Sequence, residues 1–415
     1  MIKNIVKYYK NLSFKEILIL FFPLIIISGP LLSDLSVSYF FILYMYYLIK
    51  NNFKNILFEY KYFILFGLIC FLSTFINYKF DLLTLKSLLL FRFYFFICIS
   101  ILIIENNKIL LNYFFTILLV ILCILSIDSY FQLLTNYNFF GLEKLDPKRL
   151  SGIFGDEYIL GSFLLRASIL LLYLSKFSKI NKNYALTIFL FILEPLIFFS
   201  GQRGPLIISF IIVLGIIIVN YKNLIVYLGI VYLILLIGGN LVFNEKYNER
   251  FVYDISTNIK KENILKIDET KNKKLSFSVL TPTHTQIYAS SLQMFSEKKL
   301  FGHGVKSFRD VCGKYNGCST HPHNFYLQAL AETGIFGFLI LFGFFIKISY
   351  ELLFKLKLIL FDKKKEIKYS YYLSLGMFSL FFPLQPNGNL FNNYLLINLS
   401  IVILFYLYDK RRLNE

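Results

Sequence analysis

Apolar residues recur along the chain in runs of about twenty, separated by short polar segments. A run of that length crosses a bilayer as one α-helix, because a helix satisfies its backbone hydrogen bonds within the segment. We predict about twelve spans, at residues 17–33, 36–50, 61–77, 87–104, 109–135, 159–175, 184–200, 204–220, 223–243, 324–347, 369–386 and 389–408. The predicted fold is all-α, a polytopic integral membrane protein.

One polar stretch is far longer than the others and interrupts the pattern between the ninth and tenth spans. The chain is thereby divided into membrane helices 1–9 at residues 1–243, a loop module at 244–323 and membrane helices 10–12 at 324–415. The charged first half of the module, Asn244 to Lys274, is predicted to be a mobile or helical arm. The second half is predicted to form a helix from Thr283 to Lys298 and then a turn at Gly302-His303-Gly304.

Composition and charge agree with a membrane protein. Of the 415 residues, 57% are hydrophobic, and the formal net charge is +18. The basic residues are scattered over short loops rather than collected on one face, so we predict no nucleic-acid binding. Most of them share one side of the membrane if the N-terminus lies in the cytoplasm. The positive-inside rule then places both termini in the cytoplasm and the long loop outside.

All four histidines lie in the long loop, and two of them flank Pro322 directly before the tenth span. Proline suits the first turn of a helix, so we predict that this helix begins there, with His321 and His323 at its mouth. A polar face follows at intervals of four residues, formed by Asn324, Gln328 and Glu332. A second face would let another helix approach closely, since it consists of the small residues Ala331, Gly334 and Gly337.

Two cysteines of the outer loop, Cys312 and Cys318, stand six residues apart and flank two glycines. In an oxidising compartment this arrangement favours a disulfide, which would tighten the approach to His321. Two free thiols are the plain alternative. A metal site that includes His321 and His323 is a third, although the spacing matches no common zinc pattern.

Ionisable residues within spans are costly and therefore informative. Four residues qualify, namely Arg92, Asp128, Arg166 and Glu194. For Arg92 and for Asp128 we favour a structural role, each as one partner of an ion pair. Arg166 lies near the outer surface and can reach an anionic group. Arg203 stands outside the spans, in the turn Ser200-Gly201-Gln202-Arg203 before a helix start. A guanidinium beside a helix N-terminus suits a diphosphate, and a membrane-surface anchor is the alternative.

The spacing from His323-Asn324 over nine residues to Gly334, and over two more to Gly337, resembles the signature of the O-antigen ligase family. The turn that carries Arg203 resembles the family's outer arginine, and Gly302-His303-Gly304 is similar to its Gly-x-Gly turn. These motifs cover roughly residues 150–340, and the remainder resembles the family in topology alone.

One position departs from the family pattern. The family usually has a second arginine in the outer loop shortly before an aromatic residue, and here the comparable place before Tyr288 holds His284. A protonated His284 is one candidate for the missing charge. Arg309 and Arg149 are the other candidates.

The resemblance implies a glycosyltransferase of the bacterial inner membrane whose active site faces the periplasm. The implied donor is a glycan linked to undecaprenyl diphosphate, the implied acceptor is a glycolipid or glycan, and membrane lipid surrounds both. Because no Asp-rich metal motif is evident, we expect metal-independent transfer without a cofactor.

The resemblance and the chemistry together assign roles to residues. His323 is the expected general base, because neutral imidazole accepts a proton near neutral pH and a helix N-terminus disfavours its charged form. Arg203, with Arg166 or His284, is expected to hold the diphosphate. The remaining candidates for binding substrate or orienting the base are Asn324, Gln328, Glu332, His321 and Arg309. Expected structural residues are Gly334, Gly337, Cys312 and Cys318.

Several activities fit the same motifs. The single dominant outer loop favours ligation of a glycan to lipid A-core over polymerisation of repeat units or transfer to protein. A transporter of lipid-linked sugars belongs to a different class and would line a midplane path with charges on broken helices. The distinctive residues cluster instead at the predicted outer face.

Overall fold

The computed structural model describes residues 12–51, 61–79, 81–178, 183–253, 282–315, 317–362 and 364–414. Helices dominate these ranges, and extended pairing within them is limited to an isolated bridge between Tyr137 and Glu143. The prediction of an all-α, polytopic membrane protein is confirmed.

The N-terminal helices are α1 (Phe14–Leu20), α2 (Phe22–Ile27), α3 (Pro30–Asn51), α4 (Lys61–Tyr78), α5 (Leu82–Leu88), α6 (Phe91–Asn106) and α7 (Leu110–Thr135). The predicted first span, 17–33, is wrong in its extent. It breaks at Phe21 and turns at Gly29, whose φ of +111° suits glycine. Pro30 then opens α3, which runs without interruption through the predicted boundary at 33–36.

The central helices are α8 (Leu160–Leu174), α9 (Asn183–Ile188), α10 (Glu194–Phe199), α11 (Arg203–Val219), α12 (Leu224–Phe243) and α13 (Glu245–Asn248). A π-turn at Phe189–Leu193 joins α9 to α10. Pro195 has no N–H to continue the regular helical ladder, and the wider turn accommodates this loss. The predicted span at 184–200 is thus one apolar element, Asn183–Phe199.

The C-terminal helices are α14 (Pro282–Glu297), α15 (Phe308–Val311), α16 (Phe325–Leu360), α17 (Lys368–Leu380) and α18 (Asn393–Asn414). The predicted loop helix is confirmed as α14. Between α17 and α18 the chain is irregular, since Pro383 and Pro386 cannot donate to a helical ladder. Of the predicted arm from Asn244 to Lys274, residues 254–274 lie outside the described ranges.

Seven of the described helical elements are long and apolar enough to cross a membrane. They are Pro30–Lys50, Lys61–Tyr78, Leu82–Asn106, Leu110–Thr135, Leu160–Phe177, Leu224–Phe243 and Phe325–Leu360. The other predicted spans correspond to shorter, broken or partly polar helices, namely α1–α2, α9–α10, α11, α17 and α18. The length and composition of the seven helices therefore support a protein that crosses the membrane several times.

Hydrogen bonds sort the helix termini into two ends. One end, which we call the basic end, contains the pairs Glu16–Asn107 (2.8 Å), Glu105–Arg411 (2.6 Å) and Asn220–Tyr372 (2.8 Å). The opposite end, which we call the site end, contains Leu150–Phe199 (3.1 Å), Thr74–Val305 (3.1 Å) and His323–Asn387 (2.8 Å). Loops that were predicted to share one side of the membrane thus share one end of the bundle.

The loop module packs on the first turns of α16 rather than standing apart. A small apolar cluster joins α14, α15 and α16 through Ile287, Met294, Phe308, Cys312 and Ala331. Burying these side chains anchors the module, because apolar burial is favourable at about 25 cal/mol per Å². The module therefore fixes where its histidines lie relative to α16.

Candidate active site

Three imidazoles meet at the site end. The ring of His323 lies 4.1 Å from that of His321 and 5.2 Å from that of His284, centroid to centroid. His321 and His323 come from the loop before α16, whereas His284 comes from the first turn of α14. All three residues are candidates from the sequence, but their contact could not be predicted because packing of α14 on α16 creates it.

His323 lies outside the helix that it precedes. The prediction that Pro322 and His323 occupy the first helical turn is wrong, because Asn324 caps α16 and the helix begins at Phe325. His323 has a φ of +57°, an unusual backbone conformation for a residue other than glycine. The N–H of Asn387 donates to the His323 carbonyl at 2.8 Å, which stabilises this conformation.

The environment keeps these histidines neutral. Burial, followed by the neighbouring His321 and His284, lowers the pKa of His323 from 6.5 to about 4. Burial also lowers the pKa of His321, and burial together with the Arg203 charge lowers the pKa of His284. A neutral His323 can accept a proton, and its Nε2 lies 3.4 Å from the Ser319 hydroxyl.

Arg203 lies beside this cluster at the start of α11. Its Nη2 donates to the Arg250 carbonyl at 2.6 Å, and Nε of Arg250 donates to the Gly201 carbonyl at 3.2 Å. Arg149 approaches from the other side of the same turn, with its guanidinium 3.8 Å from the Tyr158 ring centroid. Burial and the nearby Arg250 charge lower the pKa of Arg149. Three arginines thus lie around Gly201, and the charges of Arg149 and Arg250 are close enough to interact.

Gly201 makes this convergence possible. Its φ is +65°, and a Cβ at this position would lie 2.5 Å from the Lys148 carbonyl oxygen and 3.0 Å from Cγ of Arg149. The segment that carries Arg149 is held there because the Leu150 N–H donates to the Phe199 carbonyl at 3.1 Å. From the sequence, Arg149 was only an alternative candidate and Arg250 was not a candidate at all, since no local motif marks either residue.

Arg166 lies on α8, one turn beyond the contact that joins α8 to the Arg203 turn. In that contact, the Ser162 N–H donates to Oε1 of Gln202 at 2.8 Å. The Arg166 guanidinium donates to the Ser162 carbonyl at 3.1 Å and interacts electrostatically with Tyr394. Arg166 is thus connected through Ser162 to Gln202, the residue that precedes Arg203.

Asn324 and Gln328, two residues of the polar face, are engaged with the backbone around α17 and α18. Oδ1 of Asn324 caps α16, and its Nδ2 donates to the Pro383 carbonyl at 2.6 Å. Gln328 accepts from the Leu390 N–H and donates to Oδ1 of Asn389, each at 2.8 Å. Both side chains therefore fix the loop between the last two helices.

Glu332, the third residue of that face, organises the turn before α15. Its carboxylate oxygens accept from the N–H groups of Lys306 at 2.8 Å and Phe308 at 3.1 Å. Its carbonyl accepts from the Gly304 N–H at 2.8 Å. The side chain is 1% exposed, so its contacts lie within the protein.

The two glycines of the signature have different neighbours. We predicted that Gly334 and Gly337 would admit another helix, whereas the loop after α14 approaches Gly334 and a Cβ at Gly337 would meet the Thr333 side chain of the same helix. Gly334 interrupts α16 with a φ of +67°, and a Cβ there would collide with the Leu300 carbonyl. Next to it, the Ile335 N–H donates to the Lys299 carbonyl at 2.8 Å.

The other residues named from sequence lie around this site. Cys312 and Cys318 form a disulfide, so their thiols are not available as metal ligands. Arg309 is exposed on α15, and its carbonyl lies beside these sulfurs. His303 is buried, and its Nε2 lies 3.0 Å from the Met294 carbonyl. Within the described ranges, no group of three or more His, Cys, Asp or Glu side chains is placed to hold a metal ion.

The ionisable residues within spans have diverse partners. Arg92 forms an ion pair with Asp34 through two contacts of 2.6 and 3.1 Å. The prediction of a structural ion pair for Arg92 named no partner, and the partner is Asp34. Asp128 instead accepts from the Phe139 N–H at 3.0 Å, so a backbone amide takes the place of the predicted cation. Glu194 accepts from the Ser209 hydroxyl at 2.7 Å, which links α10 to α11.

These features define a multi-pass membrane protein with a histidine and arginine site at one end of its helical bundle. Residues 186–342 match the family model described as O-antigen ligase. This match supports the resemblance of the segment to the O-antigen ligase superfamily, whose members are membrane enzymes of the glycosyltransferase type. The matched segment contains Arg203, His284, His323 and both signature glycines, whereas Arg149 and Arg166 precede it. A comparison with curated proteins found no match.

Proposed function

We propose that this protein transfers a glycan from undecaprenyl diphosphate to a hydroxyl group of a glycolipid acceptor such as lipid A-core. The proposal rests chiefly on the geometry of His323. This half-buried, neutral imidazole contacts His284, whose pKa is lowered by burial and by the Arg203 charge. A base and a cation cluster therefore stand side by side, as transfer from a diphosphate requires.

The proposed reaction is a single displacement. The acceptor oxygen attacks the anomeric carbon, and the bond from that carbon to the diphosphate oxygen breaks. The electron pair leaves with the diphosphate, whose negative charge the guanidinium groups stabilise. The acceptor's proton passes to Nε2 of His323. Such a displacement inverts the configuration at the anomeric carbon.

The Ser319 hydroxyl indicates where the acceptor binds in this proposal. It lies 3.4 Å from Nε2 of His323, the atom that would receive the proton. An acceptor hydroxyl that takes a similar position would be within reach of the base once that distance tightens. Ser319 follows Cys318, so the disulfide holds the segment that carries it.

Arg203, Arg149 and Arg250 form the proposed diphosphate clamp. All three surround Gly201, and guanidinium groups bind phosphate oxygens with two parallel hydrogen bonds. Arg250 or Arg149 would supply the charge that the family usually takes from its second loop arginine. His284 is then a neutral neighbour of the base, because the Arg203 charge opposes its protonation.

We assign scaffold roles to the polar face of α16. Asn324, Gln328 and Glu332 direct their side chains to backbone groups or to Asn389. These contacts hold the irregular stretch after α17 and the turn before α15 against the helix that follows His323. Arg166 would support the turn that carries Arg203 through its contact with Ser162.

The composition of the carrier-linked lipids tests the function and separates its alternatives. In cells that depend on this protein, replacing it with the His323→Ala variant should leave long glycan chains on the carrier and none on lipid A-core. Single repeat units on the carrier would identify a polymerase instead. Repeat units trapped on the cytoplasmic leaflet would identify a transporter. The Lys314→Ala variant, changed at an exposed lysine of the loop module, is the control and should behave as wild type.

A further inference from the structure

A second group of cations lies at the site end, apart from the arginines around Gly201. It consists of Lys86 on α5, Arg92 on α6 and Lys306 in the turn before α15, and the first two lie close enough to Lys306 to interact with its charge. The Lys306 backbone is fixed, because its φ is +64° and its N–H donates to the Glu332 carboxylate at 2.8 Å. Its side chain is half-buried, and within the described ranges its ammonium has no hydrogen-bond or ion-pair partner.

The nearby carboxylates are already engaged. Asp34 forms two contacts with Arg92, at 2.6 and 3.1 Å, and both oxygens of Glu332 accept backbone N–H groups. Burial, followed by the charges of Lys86 and Arg92, lowers the pKa of Lys306. An anion placed among the three cations would relieve this repulsion.

An apolar cavity of about 130 Å³ lies directly beside Arg92. The Arg92 guanidinium stands 5.0 Å from the centroid of the Phe93 ring, and Phe93 lines the cavity. The remaining walls come from α4, α16, α18 and the stretch between α17 and α18, and they are almost entirely apolar, as at Phe66, Leu341 and Phe391. A cavity of this kind suits part of a hydrocarbon chain.

The surroundings of Lys86 indicate that a ligand would arrive from the lipid phase. This lysine is exposed. The leucines beside it on α5 and at the C-terminal end of α5 are exposed as well, namely Leu82, Leu85, Leu88 and Leu89. Exposed leucines in a membrane-spanning element face lipid tails. A ligand with an anionic head and a hydrocarbon chain matches both the cations and the cavity.

We propose that Lys86, Arg92 and Lys306 bind the phosphate of a lipid acceptor, with one of its hydrocarbon chains in the neighbouring cavity. That this lipid is the acceptor rests on the proposed function. The position agrees with that role, because Glu332 joins this site to α16 and Phe325 lies about 10 Å away along that helix. Sugars attached to the lipid would extend over that distance toward His323.

Lipid binding and transfer kinetics together test this inference. The full-length protein is titrated in detergent with lipid A, with dephosphorylated lipid A and with phosphatidylglycerol, and bound lipid is measured by native mass spectrometry. The Lys86→Gln, Lys306→Gln double variant removes two cations without creating a cavity. Lys314→Gln, at an exposed lysine of the same module, is the matched control. Ile340→Trp fills the cavity from its rim.

The wild type and the Lys314→Gln variant should bind lipid A about ten times more tightly than the double variant does, as expected for lost charge-assisted hydrogen bonds. Ile340→Trp should weaken binding too. In the transfer assay, the double variant should raise the acceptor KM about tenfold without changing the donor KM.

Three results would overturn the inference. They are unchanged lipid A binding by the double variant, equal binding of dephosphorylated lipid A, and displacement by equimolar phosphatidylglycerol with an unchanged acceptor KM. The last result would identify a site for bulk phospholipid. If the wild type binds lipid A as expected yet transfers no glycan, the proposed function fails while this lipid site stands.

Discussion

His323 differs from an ordinary histidine in its backbone and in its charge state. Its φ is +57°, and its ring lies against those of His321 and His284. Burial among these rings lowers its pKa to about 4, so the free enzyme holds it neutral at physiological pH. The spacing to Gly334 and Gly337 singled out His323 in the sequence. The neutrality could not be predicted, because it arises from residues that tertiary packing brings together.

The pH profile of transfer tests this charge state. A base whose pKa is lowered is active above that pKa, and its activity is lost as the pH falls through it. We expect kcat/KM, which reports the free enzyme, to stay level from neutral pH down to about pH 5 and to fall near pH 4. A decline centred near pH 6.5 would show an unperturbed histidine and contradict the buried environment. Circular dichroism at each pH controls for unfolding.

Arg203 lends itself to a substitution that separates charge from geometry. Arg203→Lys keeps the charge but loses the planar fork that binds a diphosphate through two hydrogen bonds. We expect transfer to fall about 10- to 100-fold, in line with the loss of a charge-assisted hydrogen bond. Lys314→Arg, a charge-preserving exchange at an exposed position of the loop module, is the matched control. Full activity in Arg203→Lys would reduce the role of this arginine to an anchor at the membrane surface.

At the scale of elements, the break in α16 decides how the loop module meets the bundle. Gly334 opens the helix where the Ile335 N–H donates to the Lys299 carbonyl of the loop after α14. Glu332 precedes Ile335 by less than one helical turn, and its carboxylate fixes the turn before α15. The sequence pattern predicted both glycines as structural. It assigned them to helix packing because periodicity alone cannot reveal that a loop approaches.

Two glycine substitutions in this helix test the break. Gly334→Ala places a Cβ against the Leu300 carbonyl in a left-handed conformation, whereas Gly343→Ala meets open space within the same helix. We expect Gly334→Ala to lower stability by at least about 1–2 kcal/mol and to reduce transfer. Gly343→Ala should be neutral or stabilise by up to about 1 kcal/mol. Thermal unfolding in detergent measures both. Equal melting temperatures for the two variants would contradict a structural role for the break.

For the whole molecule, hydropathy predicted the membrane class and the loop pattern well. Every predicted span has a helical counterpart, and the termini group at two ends as the lysine distribution required. The failures share a cause. The turn at Gly29, the π-turn before Glu194 and the irregular stretch around Pro383 lie inside apolar sequence, where hydropathy is uniform and backbone geometry decides. The prediction of the arginines around Gly201 was incomplete for a related reason, since Arg250 is close to Gly201 in space and distant from it in sequence.

The orientation in the membrane is open to a direct test. We expect reporter fusions after Lys365 to be active in the cytoplasm and fusions after Lys299 to be active outside, because basic loops stay inside. Fusions after Asn220 share the basic end with Lys365 and serve as the internal control. The opposite pattern would place His323 in the cytoplasm, and the proposed periplasmic reaction would be wrong.

The most direct test of the account is transfer in vitro by purified protein, measured for the wild type, His323→Ala and His321→Ala with and without chelator. His323→Ala should fold and bind the lipid-linked donor, since Arg203 and its neighbours remain, but it should transfer about 10²–10⁴ times more slowly. His321→Ala should lose less, and chelator should leave the wild type unchanged. Near wild-type transfer by His323→Ala, or arrest of the wild type by chelator alone, would contradict the proposed metal-free general base.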